Sequence, residues 1–156
     1  MKKGIGFIFL LGFVLSCQAE KNLHSAIFLG GQIVNPSSRA VTLYQGTQVI
    51  EMLDLGENLR FQRQYDSLPD GIYKLEHLPE YQTLLLEDQD SLWVRINAAA
   101  FDESMVYSGV GASKNNFLLE LFLKQEAENN YLSSKYSNNK RTFNAIIDSL
   151  LLEKKQ

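Results

Sequence analysis

The chain is poor in the residues that carry metal and redox chemistry. Of its 156 residues, one is cysteine and two are histidine. A single thiol excludes an intrachain disulfide and any Cys-x-x-Cys redox pair. His24 and His77 stand apart in the sequence, and neither has a second ligand at metal-binding spacing, so no metal site is expected. Basic residues are the minority, 15 against 18 acidic, for a net charge of −3, which argues against a nucleic-acid partner. The apolar run Gly4 to Leu15 is shorter than the roughly 20 residues that span a bilayer. There is no Gly-x-Ser-x-Gly nucleophile elbow, no complete phosphate-binding glycine motif and no Asp-x-Asp-x-Asp-Gly calcium loop. No catalytic residues, no cofactor and no enzymatic activity of the chain by itself are therefore expected.

What is present begins with the leader. Lys2 and Lys3 precede the apolar run, and Ser16 and Cys17 close it, the pattern of a secretory signal. Val14-Leu15-Ser16-Cys17 resembles the bacterial lipobox. That resemblance implies cleavage before Cys17 and acylation of its thiol and new amino group. The lone cysteine stands at the one position where lipidation needs it. Residues 1–16 are thus expected to be a signal peptide, and the membrane is the first expected partner, through acylated Cys17. The remainder, 140 of the 156 residues, loses two lysines with the leader and carries a net charge of −5. It is long enough for one domain with its own core. Gln18 is not the Asp that retains enterobacterial lipoproteins at the inner membrane. By that analogy the expected location is the cell envelope, at the outer membrane.

Residues 17–24 read as a polar tether. From residue 25 to 111 short β-type runs alternate with turn signals. The runs are Ala26–Val34, Val41–Tyr44, Val49–Leu53, Leu59–Tyr65, Ile72–His77, Tyr81–Leu86, Ser91–Ile96 and a short one at Met105–Tyr107. Asn35-Pro36-Ser37-Ser38, Asp66 to Gly71 and Asp88-Gln89-Asp90 are turn chemistry. Such spacing predicts a mainly β fold, an antiparallel β-sandwich of seven or eight short strands. Leu59, Phe61 and Tyr65 are expected on one strand face, with Arg60, Gln62 and Gln64 on the other.

Residues 112–156 change period and are expected to form a helical connector. Phe117, Leu118, Leu121 and Phe122 predict a helix over 113–126, with Ser113 as its N-cap. The polar stretch 127–140 reads as a loop or frayed end. Phe143, Ile146, Ile147, Leu150 and Leu151 then form a second amphipathic helix. Its stripe needs a surface to cover, either in the sandwich or in a segment that follows.

One stretch resembles a known family. Tyr81 to Leu119 contains Asp90-Ser-Leu-x-Val-x-Ile-Asn97, then Phe101-Asp-Glu-Ser, then Tyr107-Ser-Gly-x-Gly-Ala-x-Lys-Asn-Asn-Phe117. It is similar to the N-terminal domain of Bacteroidota thioredoxin-like lipoproteins of the TlpA/ResA disulfide-reductase type. The resemblance covers Ala26 to Leu123. It implies a lipid anchor, a small β-sandwich, a helical connector and then a thioredoxin domain. The catalytic domain with its Cys-x-x-Cys has no counterpart in this sequence, so none of the family's redox residues carries over. The implied role is that of a non-catalytic accessory domain. The alternative is a stand-alone binding or assembly lipoprotein.

Among side chains with chemistry, Trp93 and Arg95 form the candidate binding pair. Alternation places them opposite Leu92, Val94 and Ile96, on a face that meets a partner unless the C-terminal helices cover it. Gly109-Val-Gly111-Ala-Ser-Lys114 opens a helix and is a weak candidate for anion binding. Asp88, Asp90, Asp102 and Glu103 read as solvated turn carboxylates.

Overall fold

Alternation along the chain is reproduced in three dimensions as two sheets. A computed structural model describes residues 26–136 and 139–155. The leader, Cys17, the tether and His24 lie outside the described residues. The strands are β1 (Ile27–Val34), β2 (Ala40–Gln45), β3 (Gln48–Asp54), β4 (Arg60–Tyr65), β5 (Gly71–His77), β6 (Glu80–Leu86), β7 (Ser91–Asn97) and β8 (Val106–Val110). A one-turn helix, α1 (Phe101–Ser104), separates β7 from β8, and α2 (Ala112–Lys135) and α3 (Lys140–Glu153) follow.

The first sheet has the order β4-β1-β7-β8 and the second β3-β2-β5-β6. Their facing sides share one core, with Leu29, Ile33, Val41, Leu43, Leu75, Leu84, Leu92 and Val94 fully buried. Each such side chain contributes about 1.5–3 kcal/mol on leaving water. Arg63 of β4 and Glu51 of β3 form an ion pair at 3.1 Å that ties the two sheets together along one side.

Three expectations are corrected here. The sheets are not wholly antiparallel, because β1 runs parallel to β7. A parallel pair needs a long crossover, and the chain between these two strands builds the whole second sheet. Helix and strand take nearly equal shares, so the fold is mixed α/β rather than mainly β. Leu59 does not join Phe61 and Tyr65 in a strand face. It closes a 3-10 turn with a φ of 58° and is 40% exposed.

The helix after β8 is longer than its apolar pattern predicts. It starts at Ala112 and runs through the Asn- and Ser-rich stretch to Lys135, and its N-cap is Gly111, not Ser113. Packing of its first turns explains this, since tertiary contact overrides weak propensity. Asn115 and Leu119 are buried where the helix lies along β6 and β8, the edge strands on one side of the two sheets. Two adjacent asparagines satisfy those edges. The Asn115 side-chain amide accepts from Leu85 N at 2.7 Å and donates to Leu85 O at 2.9 Å. The Asn116 amide accepts from Tyr107 N at 3.0 Å and donates to Tyr107 O at 2.9 Å. Each amide mimics one residue of an absent neighbouring strand, which blunts an edge that would otherwise template pairing.

Asn139 caps α3 by accepting from Thr142 N at 3.1 Å. The helix folds back on the outer half of α2. Phe143 meets Tyr136 edge to face at 6.4 Å, and Lys154 pairs with Glu128 at 2.6 Å. None of its residues is buried, and Leu151 and Leu152 stay exposed.

Candidate functional site

The register of the first sheet assembles the side of it that faces away from the core. Three rows of four residues cross β4, β1, β7 and β8: Gln64-Phe28-Ser91-Val110, Gln62-Gly30-Trp93-Ser108 and Arg60-Gln32-Arg95-Val106. Trp93 therefore sits near the centre of this face, with Arg95 one row away on the same strand. Their placement opposite Leu92, Val94 and Ile96 is as the alternation predicts. Among the described residues neither α2 nor α3 covers them, because α2 lies along β6 and β8 instead.

Gly30 positions the indole. A Cβ at Gly30 would come within 2.8 Å of Trp93 Cε3 and Cζ3 and within 3.0 Å of Phe28 Cζ. Those distances are too short for any side chain, so the ring lies across β1 in the space that glycine leaves. Trp93 is half-buried in consequence, and Arg95 is exposed. The Arg60 guanidinium stands 5.7 Å from the indole centroid, within cation–π range but beyond stacking distance. Gln32 donates to Asn58 O at 3.0 Å, and Ser108 Oγ donates to Trp93 O at 3.3 Å. Neither Arg60 nor Arg95 takes part in an ion pair among the described residues. No acid occupies any of the twelve positions.

Sequence reasoning found Trp93 and Arg95 and missed Arg60, Gly30 and Gln62 as their neighbours. The alternation Arg60-Gln62-Gln64 was legible in β4. Nothing local says that β4 lies two strands away from β7.

Other candidate groups are taken up by the fold. Lys114 pairs with Asp90 at 2.7 Å and Glu87 at 2.6 Å. Burial alone would lower its pKa, but these two carboxylates hold it above the ordinary lysine value. The anion at this helix start is thus the protein's own. Asp90 is not a solvated turn residue: it is 4% exposed and also accepts from Glu87 N at 2.8 Å. Gly111, with φ at 90°, makes room for it, since a Cβ there would come 2.5 Å from Asp90 Oδ1.

His77 is a buried strand residue, 1% exposed. Its Nε2 accepts from Ser37 N at 3.1 Å, which assigns the ring proton to Nδ1, 3.0 Å from Ala40 O. Ser38 Oγ lies 3.1 Å from the same Nδ1. The ring pins the β1–β2 turn.

Asp102, bonded to buried Gln82 at 3.0 Å, lines a surface pocket with Glu80, Glu103 and Glu126. Burial raises its pKa, the Gln82 bond lowers it, and the charges of Glu80, Glu126 and Glu103 raise it further. No group of three or more ligating side chains with metal-binding geometry occurs among the described residues.

On the far side of the second sheet, Lys74 lies 4.0 Å from the Tyr44 ring centroid and pairs with Glu76 at 2.9 Å. Tyr44 donates to the same carboxylate at 2.9 Å. This cluster is closed on itself, unlike the arginines around Trp93.

Compared with protein-family models, curated proteins and solved structures, the chain matches none.

Proposed function

We propose that this chain is a membrane-anchored lipoprotein. Its folded part is a β-sandwich that serves as the non-catalytic accessory domain of a thioredoxin-like thiol-disulfide oxidoreductase. The observation that carries the reading is the order and use of its parts. Two sheets around one core are closed along one side by the start of α2, whose outer half continues with α3 as a helix pair without a buried residue. This order supports the reading, since the resemblance implies a sandwich followed by a helical connector. The buried polar side chains His77, Gln82, Asp90 and Asn115 are all engaged in holding turns, edges and the helix start. The acyl groups on Cys17 would supply the anchor, each buried methylene contributing about 0.8 kcal/mol. Gln18 favours the outer membrane by the enterobacterial analogy.

An immunoblot of source-cell membranes, raised against the Tyr81 to Leu119 segment, tests this. A band larger than 17.7 kDa by a thioredoxin domain supports it. A band at or just below that mass overturns it in favour of a second reading, a stand-alone binding lipoprotein. That second reading is favoured by the Trp93 face, which among the described residues is uncovered by the C-terminal helices, cationic and free of acids.

A further inference from the structure

We propose that the Trp93 face binds an acidic glycan, an oligomer of uronic-acid sugars. The inference rests on that face being a contact surface, and it holds with or without a thioredoxin domain downstream.

Three features converge on this chemistry. The half-buried indole reaches over the space that Gly30 leaves, where a Cβ would meet its Cε3 and Cζ3 at 2.8 Å and Phe28 Cζ at 3.0 Å. The part of the ring that stays exposed is apolar and aromatic, a surface that fits the C–H face of a pyranose. Gln62 and Ser108 flank Trp93 in its own row, and Gln64 lies one row away beyond Gln62. Amides and hydroxyls on the outer face of a sheet are the donors and acceptors that sugar hydroxyls require. The charge is the third feature. Arg60 and Arg95 bring two guanidiniums without a carboxylate to a chain whose net charge is −3. A polyanion meets complementary charge at this face, and a guanidinium binds a carboxylate through two parallel bonds.

Trp93 is the only tryptophan in the chain, so its emission reports on this face alone. The full chain in neutral detergent micelles is titrated with oligogalacturonate, with its methyl ester, and with phosphatidylglycerol added to the micelles. The expected result is a saturable change in emission with oligogalacturonate, weakened by salt. Arg60→Gln and Arg95→Gln should each weaken the apparent Kd by about tenfold, the loss of one charge-assisted contact. Methyl esterification should cost wild type as much and the arginine variants less, because the partner charge is already gone. Trp93→Phe, followed by calorimetry, should also weaken binding. Binding that neither arginine variant alters overturns the proposal. A change with phosphatidylglycerol and none with the glycan also overturns it, and leaves the face a contact surface for lipid. No change with either probe overturns both the glycan proposal and the reading on which it rests.

Discussion

At the scale of single residues, glycine and carboxylate positions carry the sharpest consequences. Gly30 matters for what it lacks. Gly30→Val would force Trp93 off β1, since even a Cβ would come 2.8 Å from the indole. The expected outcome is a red shift of Trp93 emission and a destabilisation of about 1–3 kcal/mol in urea, with the far-ultraviolet spectrum retained. Asp102 and Glu76 make opposite contributions to pH dependence. Burial, with the charges of Glu80, Glu126 and Glu103, raises the Asp102 pKa against the pull of Gln82. The native state then holds a proton that the unfolded chain releases. Stability from this group is therefore greatest below the ordinary carboxyl value of 3.8 and falls as pH rises through the raised native value. Asp102→Asn, which still accepts from Gln82, should flatten that fall and leave the protein at least as stable at pH 7. Unfolding midpoints measured from pH 4 to 7 check this. Glu76 is lowered first by its bond from Lys74, against the effect of burial, and then by Tyr44. Its contribution is present above the ordinary carboxyl value of 4.5 and is lost as pH falls through the lowered one.

At the scale of elements, α2 does two jobs with two halves. Its first turns replace a missing strand for both sheets. Asn115 is fully buried and bonds both Leu85 backbone groups, so Asn115→Ala orphans a donor and an acceptor and should cost about 2–3 kcal/mol. Asn116 is only half-buried, and Asn116→Ala should cost about 1 kcal/mol. Urea denaturation of the two variants checks the order. If the two losses are equal, burial is not what separates them. The outer half of α2 and the whole of α3 hold each other through few contacts, such as Tyr136 on Phe143. Phe143→Ala should therefore raise amide exchange in α3 while leaving the unfolding midpoint of the sheets unchanged. Seven of the eight strands were legible in the chain to within one residue, because a half-buried sheet imposes a period of two on its sequence, while the eighth runs to Val110, three residues past the expected Tyr107. The end of α2 was not. Residues 127–135 are polar and poor in helix signal, and they are helical because buried turns precede them and α3 packs beside them.

At the scale of the whole molecule, anchoring and surface chemistry are separable. If the lipobox reading holds, Cys17→Ser abolishes acyl labelling and leader processing and leaves the Trp93 face intact. Metabolic labelling with palmitate measures the first, and Trp93 emission in detergent measures the second. Undiminished labelling of the variant would remove the anchor from the account. The candidate face illustrates what a linear reading reaches and what it does not. Trp93 and Arg95 were placed on the outer side of their strand by alternation alone. Arg60 and Gly30 joined them only because β1 pairs with β4 on one side and with β7 on the other.

The division between the two kinds of information follows from the range of the forces involved. Strand identity, turn positions and the apolar stripe of α3 are set by neighbours within a few residues, so the sequence by itself determined them. Which strands adjoin, that β1 and β7 run parallel, that Asp90 is drawn beneath Gly111 to meet Lys114, and that Asn115 and Asn116 close two sheet edges were decided only by the tertiary structure. These arrangements depend on burying one shared core and on satisfying buried polar groups across long chain separations. No local pattern encodes which distant partner will satisfy them.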